Sequence, residues 1–162
     1  MVSQRRIRNA TAQDVRTIHA LVCELAGTVG DSPPRFENVR GRLAELLEEP
    51  RARVLVAEGE DGVVVGVVSL WITPDLAHGD TVVEVPMLVV TEDLRRTGVG
   101  KALMEEVRRL AAGNDANLIE LVATTQNVAA REFYRTLGFV ETDHITLEFV
   151  GDMEDPPNPE GN

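Results

Sequence analysis

Apolar positions along the chain alternate between two periods, and the switches mark out its elements. RRIRNAT, residues 5–11, reads as a short strand. Thr11 is placed to cap a helix, and Asp14 three residues later completes a capping-box pattern. Val15, Ile18, Val22 and Leu25 then share one helical face, and Gly27 is expected to end it. After the loop GTVGDSPPR, Val39, Leu43, Leu46 and Leu47 mark a second helix stopped by Pro50. RVLVAEG and GVVVGVVSLWI read as strands around a turn at Glu60, Asp61 and Gly62, where Asp-Gly is a hairpin signal. PDLAHGD connects to the β-branched run TVVEVPMLVV, in which Pro86 suggests an edge, a bulge or an end of pairing.

Leu103, Val107, Leu110 and Ala111 mark a third helix closing at Gly113. NLIELVAT, residues 117–124, is continuously apolar and reads as a buried strand. Asn127 can cap a fourth helix, VAAREFYRTL, with Gly138 as its left-handed terminator and Phe139 packing back. FVETDHITLEFV, residues 139–150, is expected to be a last strand. The order β-α-α-β-β-β-α-β-α-β places about four helices against a mixed sheet, an α/β domain over residues 1–150. Residues 151–162 are acidic and proline-rich and are expected to be a disordered tail.

Composition narrows the partners. The chain of 162 residues has net charge −11, and the last twelve residues hold four acids and no base, leaving −7 on the rest. Such a surface repels nucleic-acid phosphates and attracts cationic small molecules or basic protein segments. The same acids also serve solubility alone. Cys23 is the single cysteine, so no intrachain disulfide forms and no Cys cluster holds zinc. No apolar run reaches spanning length, and MVSQRRIRNA lacks the apolar centre of a signal peptide. The expectation is a cytoplasmic protein with no membrane partner.

Candidate chemistry starts at LRRTGVGKAL, residues 94–103. Glycines let a backbone bend sharply and approach a ligand, and a helix N-terminus binds phosphate through unpaired N–H groups. Arg95 and Arg96 add donors suited to phosphate oxygens. The nucleoside triphosphate loop is excluded, because Ala102 follows Lys101 where Ser or Thr is needed. The dinucleotide fingerprint is excluded too, since Leu103 stands where its third glycine belongs.

Arg95-x-x-Gly98-x-Gly100 after a β-branched strand resembles the acyl-CoA signature of the GNAT family of N-acetyltransferases. NVAAREFYRTLGF, Asn127 to Phe139, matches that family's Asn-x-x-Ala-x-x-Phe-Tyr-x-x-Leu-Gly-Phe pattern closely. The resemblance covers roughly residues 5–149 and implies a GNAT fold with about six to seven strands. It implies that the backbone around Arg95, Arg96, Thr97, Gly98, Val99, Gly100 and Lys101 cradles the pyrophosphate of acetyl-CoA. Leu88, Val89 and Val90 would pair with the pantetheine arm by strand addition, and Asn127 would bond the pantetheine region. Tyr134 would protonate the leaving thiolate, with a core role beside Phe133 and Leu137 as its alternative.

Glu84 is the candidate general base or ammonium anchor, since a carboxylate within an apolar strand is unusual. It lies fourteen residues before Gly98, a spacing similar to that of the base glutamate in the histone-acetylating branch. Strict alternation would point it as Leu88 points, unless a bulge intervenes. Trp71 is placed to line an acceptor pocket, with a core or surface role as its alternative, and His78 is a loop histidine. No cluster has the spacing of a metal site.

The implied function is acetyl transfer to a primary amine of a small molecule or protein, with a cationic acceptor favoured by the charge. Open alternatives are a non-catalytic acyl-CoA-binding regulatory module and transfer of another acyl group. The resemblance allows a homodimer without requiring one.

Overall fold

The structure is a computed structural model that describes residues 5–154. Five strands form one sheet: β1 (Arg6–Asn9), β2 (Ala52–Glu58), β3 (Val64–Asp75), β4 (Asp80–Val90) and β5 (Leu118–Glu120). They lie in the order β1-β2-β3-β4-β5. Neighbours are antiparallel except β4 and β5, which are parallel. Four helices accompany them: α1 (Val15–Val29), α2 (Phe36–Glu48), α3 (Val99–Gly113) and α4 (Val128–Thr136). The chain divides after Val128 into two compact units.

In the first unit the capping pattern forms. The Thr11 N–H donates to Asp14 Oδ2 at 2.8 Å, and Arg8 donates two bonds to the same carboxylate at 2.8 and 2.9 Å. Arg8 also reaches Glu58 of β2 at 2.5 Å, tying β1, β2 and the entrance of α1 together. These Arg8 bonds hold the Asp14 carboxyl below its usual range against the opposing effect of burial. α1 runs past Gly27 to Val29, and Gly30 takes the left-handed conformation at φ 79°. The Asp31 N–H then closes on the Ala26 carbonyl at 2.9 Å. Gly27 thus lies inside the helix, because the left-handed turn that stops it falls three residues later.

The sheet register decides which side chains meet which helix, since residues opposite each other share a face. Val54 opposes Ser69, Ser69 opposes Met87, and Val56, Val67 and Val89 form the next row. Val54, Val56, Val67 and Val89 pack with Ile18, Leu21 and Leu43, so this face belongs to α1 and α2. The other face carries Leu55, Val68, Leu70 and Val83. There a Cβ on Gly66 would stand 3.0 Å from Val99 Cγ1 and 3.1 Å from Leu103 Cδ1, which places α3 on it.

Two strands differ from the sequence reading. NLIELVAT was expected to be buried, yet only Leu118–Glu120 pair, and Val122 is 80% exposed. β5 is the last strand in the sheet order, so its residues are covered less than a central strand's would be. FVETDHITLEFV forms no strand, and Ile145, Leu147, Phe149 and Val150 are exposed. Period-two alternation gives a segment β-character, but a strand also needs a partner ladder, and none of the five strands pairs with it. The sheet therefore has five strands among the described residues instead of six or seven.

The second unit contains α4 and the segment after it. Gly138 is left-handed at φ 94°, and the Phe139 N–H returns to the Tyr134 carbonyl at 3.0 Å, ending the helix as expected. Arg131 makes a two-pronged pair with Glu141 at 2.8 and 2.9 Å. Most of the expected tail, residues 155–162, lies outside the described residues.

Candidate active site

β4 leads through a 3-10 turn at Glu92–Leu94 into α3. Two residues of this connection are left-handed, Arg96 at φ 64° and Gly98 at φ 91°. Gly98 is the helix cap, and the first helical bond runs from the Ala102 N–H to the Gly98 carbonyl at 3.0 Å. The amides of Val99, Gly100 and Lys101 therefore have no intrahelical acceptor and stand at the positive end of the helix dipole. This arrangement fits the phosphates of an acyl-CoA.

Side chains hold the turn in place. Arg95 donates through Nε to the Val90 carbonyl at 3.1 Å, and the Thr97 hydroxyl donates to the Leu94 carbonyl at 2.5 Å. Glu24 of α1 accepts from the Thr91 hydroxyl and the Glu92 N–H, each at 3.2 Å, and lies 3.9 Å from Arg95. Both arginines are exposed, but Arg95 is engaged within the protein through Val90 and Glu24. Lys101 lies 4.0 Å from Glu105. Glu24 was missed by the sequence reading, because a glutamate on the polar side of a helix carries no signal of a distant partner.

The strand before the turn has an open edge. Leu88, Val89 and Val90 pair with Val68, Val67 and Gly66 of β3 on one side. On the other side β5 pairs only with Val82, Val83 and Glu84. From Val85 to Val90 that edge has no strand beside it among the described residues. Apart from the Val90 carbonyl, which accepts from Arg95, the backbone groups of this edge have no strand partner and suit an amide-bearing extended ligand.

A bulge lies where the pairing stops. Between the pairs Ser69–Met87 and Trp71–Glu84, β3 advances two residues and β4 advances three. The extra residue falls at Val85–Pro86 and reverses the parity of β4. Glu84 therefore shares a face with Met87, Ser69 and Trp71, the α1 and α2 face, and not with Leu88. The strict-alternation expectation is corrected by this one residue. Glu84 is exposed and has no hydrogen-bond or ion-pair partner among the described residues. Glu120 of β5 stands beside it in register, a neighbour the sequence could not announce because parallel register leaves no local signature.

The remaining candidates fall as follows. Trp71 is half-buried and directly opposite Glu84. His78 lies on the β3–β4 turn, where Nδ1 contacts Asp75 Oδ2 at 2.5 Å; that carboxylate raises the imidazole pKa. Asn127 immediately precedes α4, with its N–H on the Thr124 carbonyl at 3.0 Å. Tyr134, in the second unit, packs edge-on against Phe133 and Phe139 at centroid distances of 5.1 and 5.5 Å. Burial pushes its phenol up to about 12, so it carries its proton throughout the neutral range. No group of three or more metal-ligating side chains occurs among the described residues. No described helix is long and apolar enough to cross a membrane.

The family model of the acetyltransferase (GNAT) family matches residues 17–139. The chain belongs to the GNAT family. It is 29% identical over 136 residues to the aminoalkylphosphonate N-acetyltransferase of Salmonella typhimurium, covering 84% of this chain and 85% of that one. Among solved structures, aminoglycoside N-acetyltransferase AAC(6')-Iy in complex with CoA superposes with a TM-score of 0.78 at 20% identity, over 90% of this chain and 93% of that one. A transcriptional regulator from Bacillus halodurans C-125 superposes at 0.80 with 21% identity, over 91% of this chain and all of that one. At these identities the structural likeness speaks for the fold. This GNAT protein is accordingly an N-acetyltransferase by family and fold, a class that moves an acyl group from acyl-CoA to an amine.

Proposed function

We propose that the protein transfers an acetyl group from acetyl-CoA to a primary amine by direct attack. The observation that carries this reading is the turn at Arg96–Gly98, which opens the N-terminus of α3 directly after the unpaired edge of β4. In this reading the amides of Val99, Gly100 and Lys101 hold the pyrophosphate, and Arg96, Thr97 and Gly98 shape the turn. Arg95 stiffens that turn through the Val90 carbonyl. The edge at Leu88, Val89 and Val90 pairs with the pantetheine amides, and Asn127 bonds the same arm.

Glu84 receives the acceptor ammonium and takes its proton. The free amine attacks the thioester carbonyl, a C–N bond forms and the C–S bond breaks. An amide N–H of the open β4 edge steadies the oxygen as charge develops on it. Tyr134 gives its proton to the departing thiolate and is restored by the proton the nitrogen sheds as the amide forms, while the proton on Glu84 passes to solvent. A phenol held protonated by burial is available for that transfer at any neutral pH. The relative from Salmonella is named for a small amine acceptor, which supports a small-molecule acceptor here.

The test is free-thiol release from acetyl-CoA with a panel of primary amines, alongside calorimetry of CoA binding. CoA binding with acetylated amine as product is the expected result. Absence of CoA binding would remove the reading entirely. Faster turnover with succinyl- or propionyl-CoA would replace acetyl by that group.

A further inference from the structure

A cavity of about 300 Å³ opens on the same sheet face as Glu84. Val22 of α1 and Val39 and Leu46 of α2 form its walls, and Val54, Ser69 and Met87 of the sheet form its floor. Its only other polar side chains are Asn38 and Arg42. The lining contains no carboxylate. The volume is at the lower end of ligand pockets and matches roughly ten waters of liquid volume.

The cavity is aligned with the carboxylate by the bulge described above. Ser69 and Met87 are one row of the sheet, and Trp71 and Glu84 are the next row on the same face. Two residues of β3 separate the rows, a distance of about 7 Å along the strand. A molecule whose ammonium rests at Glu84 thus has an apolar recess within a few bond lengths, with the Trp71 ring in the same row.

We infer that the acceptor is a monoamine whose apolar body, an alkyl chain or an aryl-alkyl group, seats in this cavity between α1 and α2. The inference rests on the reading of Glu84 as the group that receives the amine. A polyamine or aminoglycoside body seated here would bring a second ammonium into a recess whose lining offers no carboxylate, Glu120 standing beside Glu84 outside that lining, and an unpaired charge there is disfavoured. Arg42 at the lining is paired with Glu45 of α2 at 2.8 and 2.6 Å, so that neighbouring carboxylate is already engaged. The acidic balance of the surface therefore draws one ammonium to the site, while the cavity selects what that ammonium is attached to.

The experiment is a chain-length series with the intact protein and acetyl-CoA: propylamine, butylamine, pentylamine and hexylamine, with the diamines of equal length beside them. Burial of each added methylene raises kcat/KM by roughly two- to fourfold until the cavity is filled. The diamines fall roughly tenfold or more below their monoamine partners. Val39→Trp, which fills the recess, flattens the series, and Val22→Phe does the same if the first variant folds poorly. A flat series in the wild-type protein overturns the inference, as does preference for spermidine or an aminoglycoside; either leaves acetyl transfer intact. Hexylamine binding that shifts the Val22, Val39 and Met87 methyl resonances without any thiol release sustains the cavity's occupant and removes the transferase reading. Neither binding nor release with any of these amines overturns the inference, and absent CoA binding beside it overturns the transferase reading as well.

Discussion

The two faces of the sheet are built from similar aliphatic residues and have different consequences. On the α3 face Leu103, Met104, Val107, Val68, Leu70 and Val83 are at most 1% exposed, and a Cβ on Gly66 would press tightly on Val99 and Leu103. On the α1 and α2 face the rows begin equally dry at Val56 and Val67. They then open into the cavity at Ser69 and Met87 and end at the exposed Glu84. The dense face fixes the sheet. The other face leaves room, and the proposed acceptor enters there.

The largest expected effect breaks the dense face. Leu103→Ala removes a fully buried side chain and lowers stability by about 2–5 kcal/mol, measured by denaturant unfolding. Met87→Ala, half-buried at the cavity floor, costs clearly less in the same experiment. Equal losses would show that the faces do not differ in packing.

Next in size is Glu84→Gln, which tests whether the open face is the chemical one. A general base lost from the site lowers kcat by roughly 100-fold. Stability should stay within about 0.5 kcal/mol, because the side chain is exposed and unpaired. The pH–rate profile decides its role. A base works only when deprotonated, so activity rises with pH in the wild-type protein, and that rising limb is absent from the Gln variant. A kcat drop with an unchanged profile would assign Glu84 to anchoring the ammonium.

Asp14→Asn comes third and tests the tie between β1 and the helix that borders the open face. Removing charged hydrogen bonds from Arg8 costs about 2 kcal/mol at neutral pH. The folded Asp14 pKa is lowered, mainly by Arg8. Its contribution is therefore present above the unfolded carboxyl pKa and lost as pH falls through the lower folded value. Unfolding curves of the two proteins should converge on acidification. A pH-independent gap would mean that packing, and not the ion pair, carries the effect.

Tyr134→Phe gives the smallest change. A thiolate is a fair leaving group, so thiol release slows by roughly tenfold or less. The loss should be steepest with the poorest thiol leaving group. An unchanged rate with every donor leaves Tyr134 a packing residue of α4.

Much of this was legible in the sequence for identifiable reasons. The Gly98 turn, the Asp14 capping box and the Gly138 terminator are local, and each depends on backbone conformations that few residues adopt. The direction of Glu84 was not legible, although Pro86 hinted at a bulge. Parity depends on how many residues the partner strand advances, which only the pairing reveals. Glu24 and Glu120 escaped notice because their partners are distant in sequence. The run 139–150 misled because Ile145, Leu147 and Phe149 alternate like a strand yet have no ladder to join.

The bulge at Val85–Pro86 makes β4 behave like a reading frame. Every side chain upstream of it is assigned to its face by one inserted residue, much as a single extra letter reassigns every codon before or after it. Deleting Pro86 would leave the composition of the strand almost unchanged. It would nonetheless pass Glu84 to the α3 side and send Val83, now fully buried there, to the α1 and α2 side. Specificity on such a scaffold is open to revision by insertion and deletion, a route that comparisons of aligned substitutions overlook.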